Sequence, residues 1–130
     1  VGSLADRDCV PCRGGVPALA RAEIEPYLRE LVAWTVVEDR RLERRYKVKD
    51  FAAALALVNK IGAVAEAQKH HPDLALGWGW VEVKVWTHKV NGLTDADFVL
   101  AAKCDREAGP YQSGGGAGSK GSGSATTPSR

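Results

Sequence analysis

All three histidines of the chain fall in two short segments, Glu66-Ala-Gln-Lys-His70-His71-Pro72-Asp73 and Thr87-His88. An imidazole gives and takes protons near neutral pH, and no other unperturbed side chain does so as readily. Concentrating them this way points to proton transfer. Glu66 and His70 are four apart, which on a helix places them on one face within reach of each other. A carboxylate beside an imidazole fixes the ring's orientation and favours its protonated form. If His70 closes a helix and His71 begins the turn, both can face one pocket; His88 is expected to end a strand, where side chains are held more firmly than in loops. Each segment alone has a plainer explanation. A His-Pro pair often caps the last carbonyls of a helix, and a strand-end histidine often sits on the surface. The combination is what carries the chemical reading.

The elements that must position these groups follow from the pattern of apolar residues. Leu19 to Leu31 reads as a helix, with Pro26 kinking it or shifting its start. Trp34 to Glu38 and Leu42 to Val48 read as a hairpin turning at Asp39-Arg40, with Leu42, Tyr46 and Val48 on one face and Arg44 interrupting it. Asp50 is a candidate N-cap for a long helix from Phe51 to about His70. In that helix Phe51, Leu55, Val58, Ile61 and Ala65 form the predicted core stripe. Pro72 excludes helical geometry at His71, so the helix ends there. Two further strands are predicted, Leu74 to Trp78 and Trp80 to His88. In the second, Val81, Val83 and Val85 point one way and Trp80, Glu82, Lys84, Trp86 and His88 the other. Asn91-Gly92 marks a turn. Thr94 with Asp97 is a capping-box start for a last helix running to about Arg106 and burying Phe98, Ala101 and Ala102. This capping is the expected role of Asp97. The order helix, two strands, helix, two strands, helix predicts an α+β fold: a four-stranded antiparallel sheet with three helices packed on one face. Trp80 and Trp86 on the opposite face suggest that a second subunit covers part of it.

Composition bounds the function classes. The chain has 130 residues, 45% of them apolar, and a net charge of +2. That is one domain with room for a core, and a balance giving no reason to expect a nucleic-acid or membrane partner. No basic segment followed by an apolar run opens the chain, so a cytoplasmic location is expected, or an organelle if a targeting segment is missing. Residues 1–16 read as a loop-like leader, 17–110 as the domain, and 111–130 as a flexible Gly/Ser-rich tail. Of three cysteines, Cys9 and Cys12 have metal-ligand or redox spacing. With no second pair to complete a structural site, no metal site is expected.

The spacing Glu66, three residues, His70-His71-Pro72, five residues, Trp78, nine residues, His88, eight residues, Asp97 resembles the signature of the pterin-4a-carbinolamine dehydratase family. Its surroundings do too: Trp34, Tyr46, Phe51, Thr87-His88, the Gly92-to-Asp97 run and a bacterial-type Cys9-Val-Pro-Cys12 leader. Lys69 stands where some relatives carry an acidic residue. The resemblance implies an α+β dimer or tetramer that removes water from a 4a-hydroxytetrahydropterin to give the quinonoid dihydropterin, serving an aromatic amino acid hydroxylase, without metal or organic cofactor. It implies His70 and His88 as the acid/base pair and His71 as a catalytic-site residue that binds and orients the pterin. It implies Glu66 as the group that orients His70, with Pro72, Trp86, Thr87 and Lys89 lining the substrate site. The alternatives from other classes are a non-catalytic dimerisation cofactor of a transcription factor, using the same fold, and a metal or redox protein built on Cys9 and Cys12.

Overall fold

The computed structural model describes residues 4–6 and 17–112. The Cys9/Cys12 pair and the tail from Ser113 lie outside the described residues. Four strands form one antiparallel sheet: β1 (Thr35–Val37), β2 (Arg41–Lys47), β3 (Asp73–Gly77) and β4 (Trp80–Val85), in the order β1-β2-β4-β3. The helices are α1 (Arg21–Leu28), α2 (Phe51–Gln68) and α3 (Asp95–Ala108). Because β2 and β3 are both antiparallel to β4, they run parallel to each other. Helix α2 is the crossover between them, with β4 inserted in the gap.

The period-two pattern of β4 decides which face is buried. Val81, Val83 and Val85 are wholly buried and stand beside Tyr46, Arg44 and Leu42 of β2. Leu74 and Leu76 of β3 complete that face. The other face pairs Glu43 with Lys84, Arg45 with Glu82 and Lys47 with Trp80. There Arg45 lies 4.3 Å above the Trp80 ring and Arg41 5.6 Å from that of Trp86, cation–π contacts that keep both indoles on a largely charged surface. The hairpin from β1 to β2 turns through Glu38 and Asp39, both with positive φ (53° and 57°), which is the handedness tight hairpins demand. At the other hairpin Gly79 takes φ +87°, open to glycine at no steric cost.

Helix α2 corrects the predicted stripe. The residues facing the core are Ala54, Leu57, Ile61 and Ala65, whereas Phe51 and Leu55 are 49% and 46% exposed. Nearly every position of this helix is apolar, so periodicity left its rotation undetermined. Small alanines face inward because that side packs against both α3 and the sheet. Asp50 caps the helix as expected, its carboxylate accepting from the Ala53 N–H at 2.8 Å. Helix α1 is shorter than the pattern implied and holds Pro26 in its last turn.

Arg44, the residue that broke the apolar face of β2, has a partner in α3. Asp105 Oδ1 accepts from Arg44 Nη1 (2.7 Å), Trp34 Nε1 (3.0 Å) and Tyr46 Oη (2.6 Å). Burial, and then the charge of Asp105, push the Tyr46 phenol far above its usual range, so it stays a donor. The outer side of α3 receives Leu4–Asp6. Leu4 is buried there, Lys103 Nζ donates to the Ala5 carbonyl at 2.9 Å, and Arg106 pairs with Asp6.

Candidate active site

The long helix ends two residues earlier than its sequence implied, at Gln68. Lys69 adopts the left-handed conformation (φ 56°), and its N–H and that of His70 bond the carbonyls of Glu66 and Ala65. This left-handed cap reverses the chain. His70 is therefore outside the helix, and the expected Glu66–His70 pair does not form. Glu66 Oε2 instead meets His71 Nε2 at 3.0 Å, with both side chains exposed. His70 turns inward, its side chain only 16% exposed, and its Nε2 lies 2.5 Å from Asp97 Oδ1.

Asp97 is the residue whose part in the site the sequence reading missed. Its side chain is wholly buried at the start of α3. One oxygen, Oδ2, accepts from the Thr94 N–H at 2.8 Å and from the Thr87 hydroxyl at 2.7 Å. The other holds His70. The expected capping role is present, and the same carboxylate also reaches the histidine segment. The usable signal was the place of Asp97 within the spaced pattern itself, which the Thr94-x-x-Asp97 cap had already explained away. A buried carboxylate is tolerated only when its lone pairs are taken up, and two donors and the His70 ring are placed to do so here.

His88 does not end a strand. Strand β4 stops at Val85, and after Trp86 the chain makes an isolated bridge in which Thr87 N–H donates to the Gly92 carbonyl at 2.8 Å. His88–Val90 is one 3₁₀ turn closed by left-handed Asn91. Gly92 is required at the base of this loop: a Cβ there would lie 2.7 Å from that of Ala18, on the segment whose Leu19 N–H bonds the Leu93 carbonyl. His88 is exposed and packs edge-on against Trp86, ring centroids 4.5 Å apart. Thr87, the residue before it, is buried, and its hydroxyl is also 3.0 Å from that of Thr94. Of the remaining expected site residues, Pro72 and Trp86 are half-buried and Lys89 is exposed.

The fold thus brings together two segments 17 positions apart, since Asp97 bonds His70 on one side and the residue preceding His88 on the other. The arrangement offers imidazoles in two environments, one backed by a buried carboxylate and one open to solvent. Among the described residues no group of three or more His, Cys, Asp or Glu side chains could hold a metal ion, and no helix is long and apolar enough to cross a membrane.

An α+β domain with this sheet order, in which one buried carboxylate joins a helix-end histidine to the residue before a loop histidine, defines a class, and comparison with known proteins gives its family. Residues 17–107 match the family model of pterin 4 alpha carbinolamine dehydratase. The chain belongs to that family. A protein of Rubrobacter xylanophilus, named provisionally as a pterin-4-alpha-carbinolamine dehydratase, is 49% identical over 106 residues, 82% of this chain and 99% of its own. One from Rickettsia bellii, named in the same way, is 50% identical over 104 residues, covering 79% and 92%. The crystal structure of a transcriptional coactivator/pterin dehydratase from Brucella melitensis superposes with a TM-score of 0.67 at 33% identity, over 71% of this chain and 99% of that one.

Proposed function

We propose that the chain dehydrates a 4a-hydroxytetrahydropterin to the quinonoid dihydropterin by histidine acid/base catalysis. The observation that supports this best is the shared carboxylate: Asp97 ties His70 to the loop bearing His88. Hydroxide is a poor leaving group. An acid must therefore protonate the hydroxyl on C4a as the C–O bond breaks and water departs. The C4a=N5 double bond forms as a base takes the proton from N5. The step is redox-neutral, and its two proton transfers match two imidazoles on different elements. His70 and His88 are that pair. His71 and its exposed partner Glu66 bind and orient the bicyclic ring at the rim, with Pro72, Trp86 and Lys89 around it and the buried Thr87 behind them. The family likeness supports a homodimer or homotetramer, and the exposed Phe51 and Leu55 agree with it. It also supports a link to an aromatic amino acid hydroxylase, which would supply the hydroxypterin.

A dehydration assay with synthetic 4a-hydroxytetrahydropterin, following the quinonoid product, tests the reading. A rate well above the spontaneous one is expected. A rate equal to the background, from folded protein, would leave the likeness without the activity.

A further inference from the structure

We infer that Thr87 is a positioning residue that acts through Asp97 to present His70 to the substrate by its Nδ1 atom. This rests on the proton-transfer reading of His70 given above. The assignment begins with the donors whose direction is fixed. The Thr94 backbone N–H can only donate, and it donates to Asp97 Oδ2 at 2.8 Å. The Thr87 hydroxyl donates to the same oxygen at 2.7 Å. Its proton is then committed, so the Thr94 hydroxyl, 3.0 Å away, must donate to Thr87 Oγ1. The chain of donors runs one way, from Thr94 to Thr87 to Asp97.

Two neutral donors converge on Oδ2 of this wholly buried side chain. Oδ1 is left for His70 Nε2, 2.5 Å away. Imidazole is a stronger base than a carboxylate, so the proton between them rests on nitrogen. His70 is thereby held in the Nε2–H tautomer. Its Nδ1 is the ring nitrogen that carries a free lone pair when the ring is neutral. That is the atom able to take a proton from substrate. His88 packs against Trp86, with no carboxylate bonded to it among the described residues, and shows no such selection.

Thr87 is well suited to this task and poorly suited to direct contact. It is 3% exposed, and its hydroxyl is engaged by both Thr94 and Asp97. The 3₁₀ turn that starts immediately after it carries His88. One side chain therefore braces the support of the first histidine and the root of the loop bearing the second.

The test is ¹⁵N NMR of the His70 ring together with kinetics of Thr87→Val and Thr87→Ser. The wild type is expected to show the Nε2–H tautomer in the absence of ligand. Thr87→Val is nearly isosteric but removes the donor. It should shift the His70 ring toward a mixture of tautomers and lower kcat by roughly ten- to a hundredfold, with KM within about twofold. Thr87→Ser should restore both readouts. A wild-type ring protonated on Nδ1 would overturn the inference outright, whatever the variants do. So would a folded Thr87→Val protein with an unchanged tautomer and wild-type kcat. The NMR result needs no turnover. Failure of the dehydratase reading would therefore appear in the assay alone, and failure of this inference in the spectrum.

Discussion

Helix α3 carries two carboxylates that look alike on paper and serve different ends. Asp97 opens the helix and Asp105 lies in its last turns, and each gathers three hydrogen-bond partners. The partners of Asp105 are an indole N–H, a guanidinium and a phenol. None of these exchanges a proton near neutrality, and burial drives the phenol further from doing so. Asp105 therefore pins β2 and the residue before β1 to the helix and does nothing else that its surroundings suggest. Asp97 has two partners of the same fixed kind and one imidazole. With one permanent donor replaced by a titratable ring, the same clamp becomes, on the proposed mechanism, a support for proton transfer. The burial differs as well: the Asp97 side chain is wholly enclosed, that of Asp105 is 28% exposed.

That contrast can be broken in order of effect. His70→Ala and His88→Ala should each lower turnover by about 10²- to 10⁴-fold while circular dichroism remains close to wild type; His88→Ala should leave melting unchanged, whereas His70→Ala should cost roughly 1–3 kcal/mol because it strands Asp97 Oδ1. Asp97→Asn comes next. If the amide oxygen keeps the Thr87 and Thr94 donors, its NH₂ faces His70 Nε2 and forces the other tautomer. Turnover should then fall about 10²-fold or more with the fold retained, as measured by kcat alongside urea denaturation. Asp105→Ala should show the reverse. It strands Arg44, whose side chain is 15% exposed, and should cost about 3 kcal/mol in urea unfolding. Its kcat per folded molecule should remain within about threefold. Tyr46→Phe removes a single neutral donor and should cost about 1 kcal/mol by the same measurement. The smallest effect belongs to Glu66→Gln at the exposed rim, where a surface pair adds little. It should leave the melting temperature unchanged and raise KM modestly.

Much of the fold was legible because strands and caps have local signals. The alternation of β4 and the Asp50 and Thr94 caps sit where their spacing put them, and the first hairpin turns one residue earlier than expected, through Glu38 and Asp39. The rotation of α2 was not legible, since a helix apolar on every side has no unique stripe, and only packing chose Ala54 and Leu57 over Phe51 and Leu55. In the site, the resemblance carried by the spacing pointed to His70, His71 and His88, while Asp97 was expected only to cap α3. The pairing could not be read from it. Glu66 was four residues from His70 in sequence, but the left-handed residue Lys69 sent His70 to Asp97 and left Glu66 with His71. A lysine in that conformation carries no sequence signature comparable to glycine, so the reversal was invisible until the backbone was known. The bracing contact of Thr87, expected only to line the substrate site, was equally opaque, because a threonine after a strand reads as an ordinary β-former until its hydroxyl is seen on a buried carboxylate.

The most direct measurement is the single-turnover rate of 4a-hydroxytetrahydropterin dehydration by the His70→Ala/His88→Ala double variant, set beside the wild type. With the fold intact, the double variant is expected to lose nearly all acceleration over the spontaneous reaction. Turnover at the wild-type rate would show that neither imidazole moves the pterin's protons and would contradict the assignment of the site.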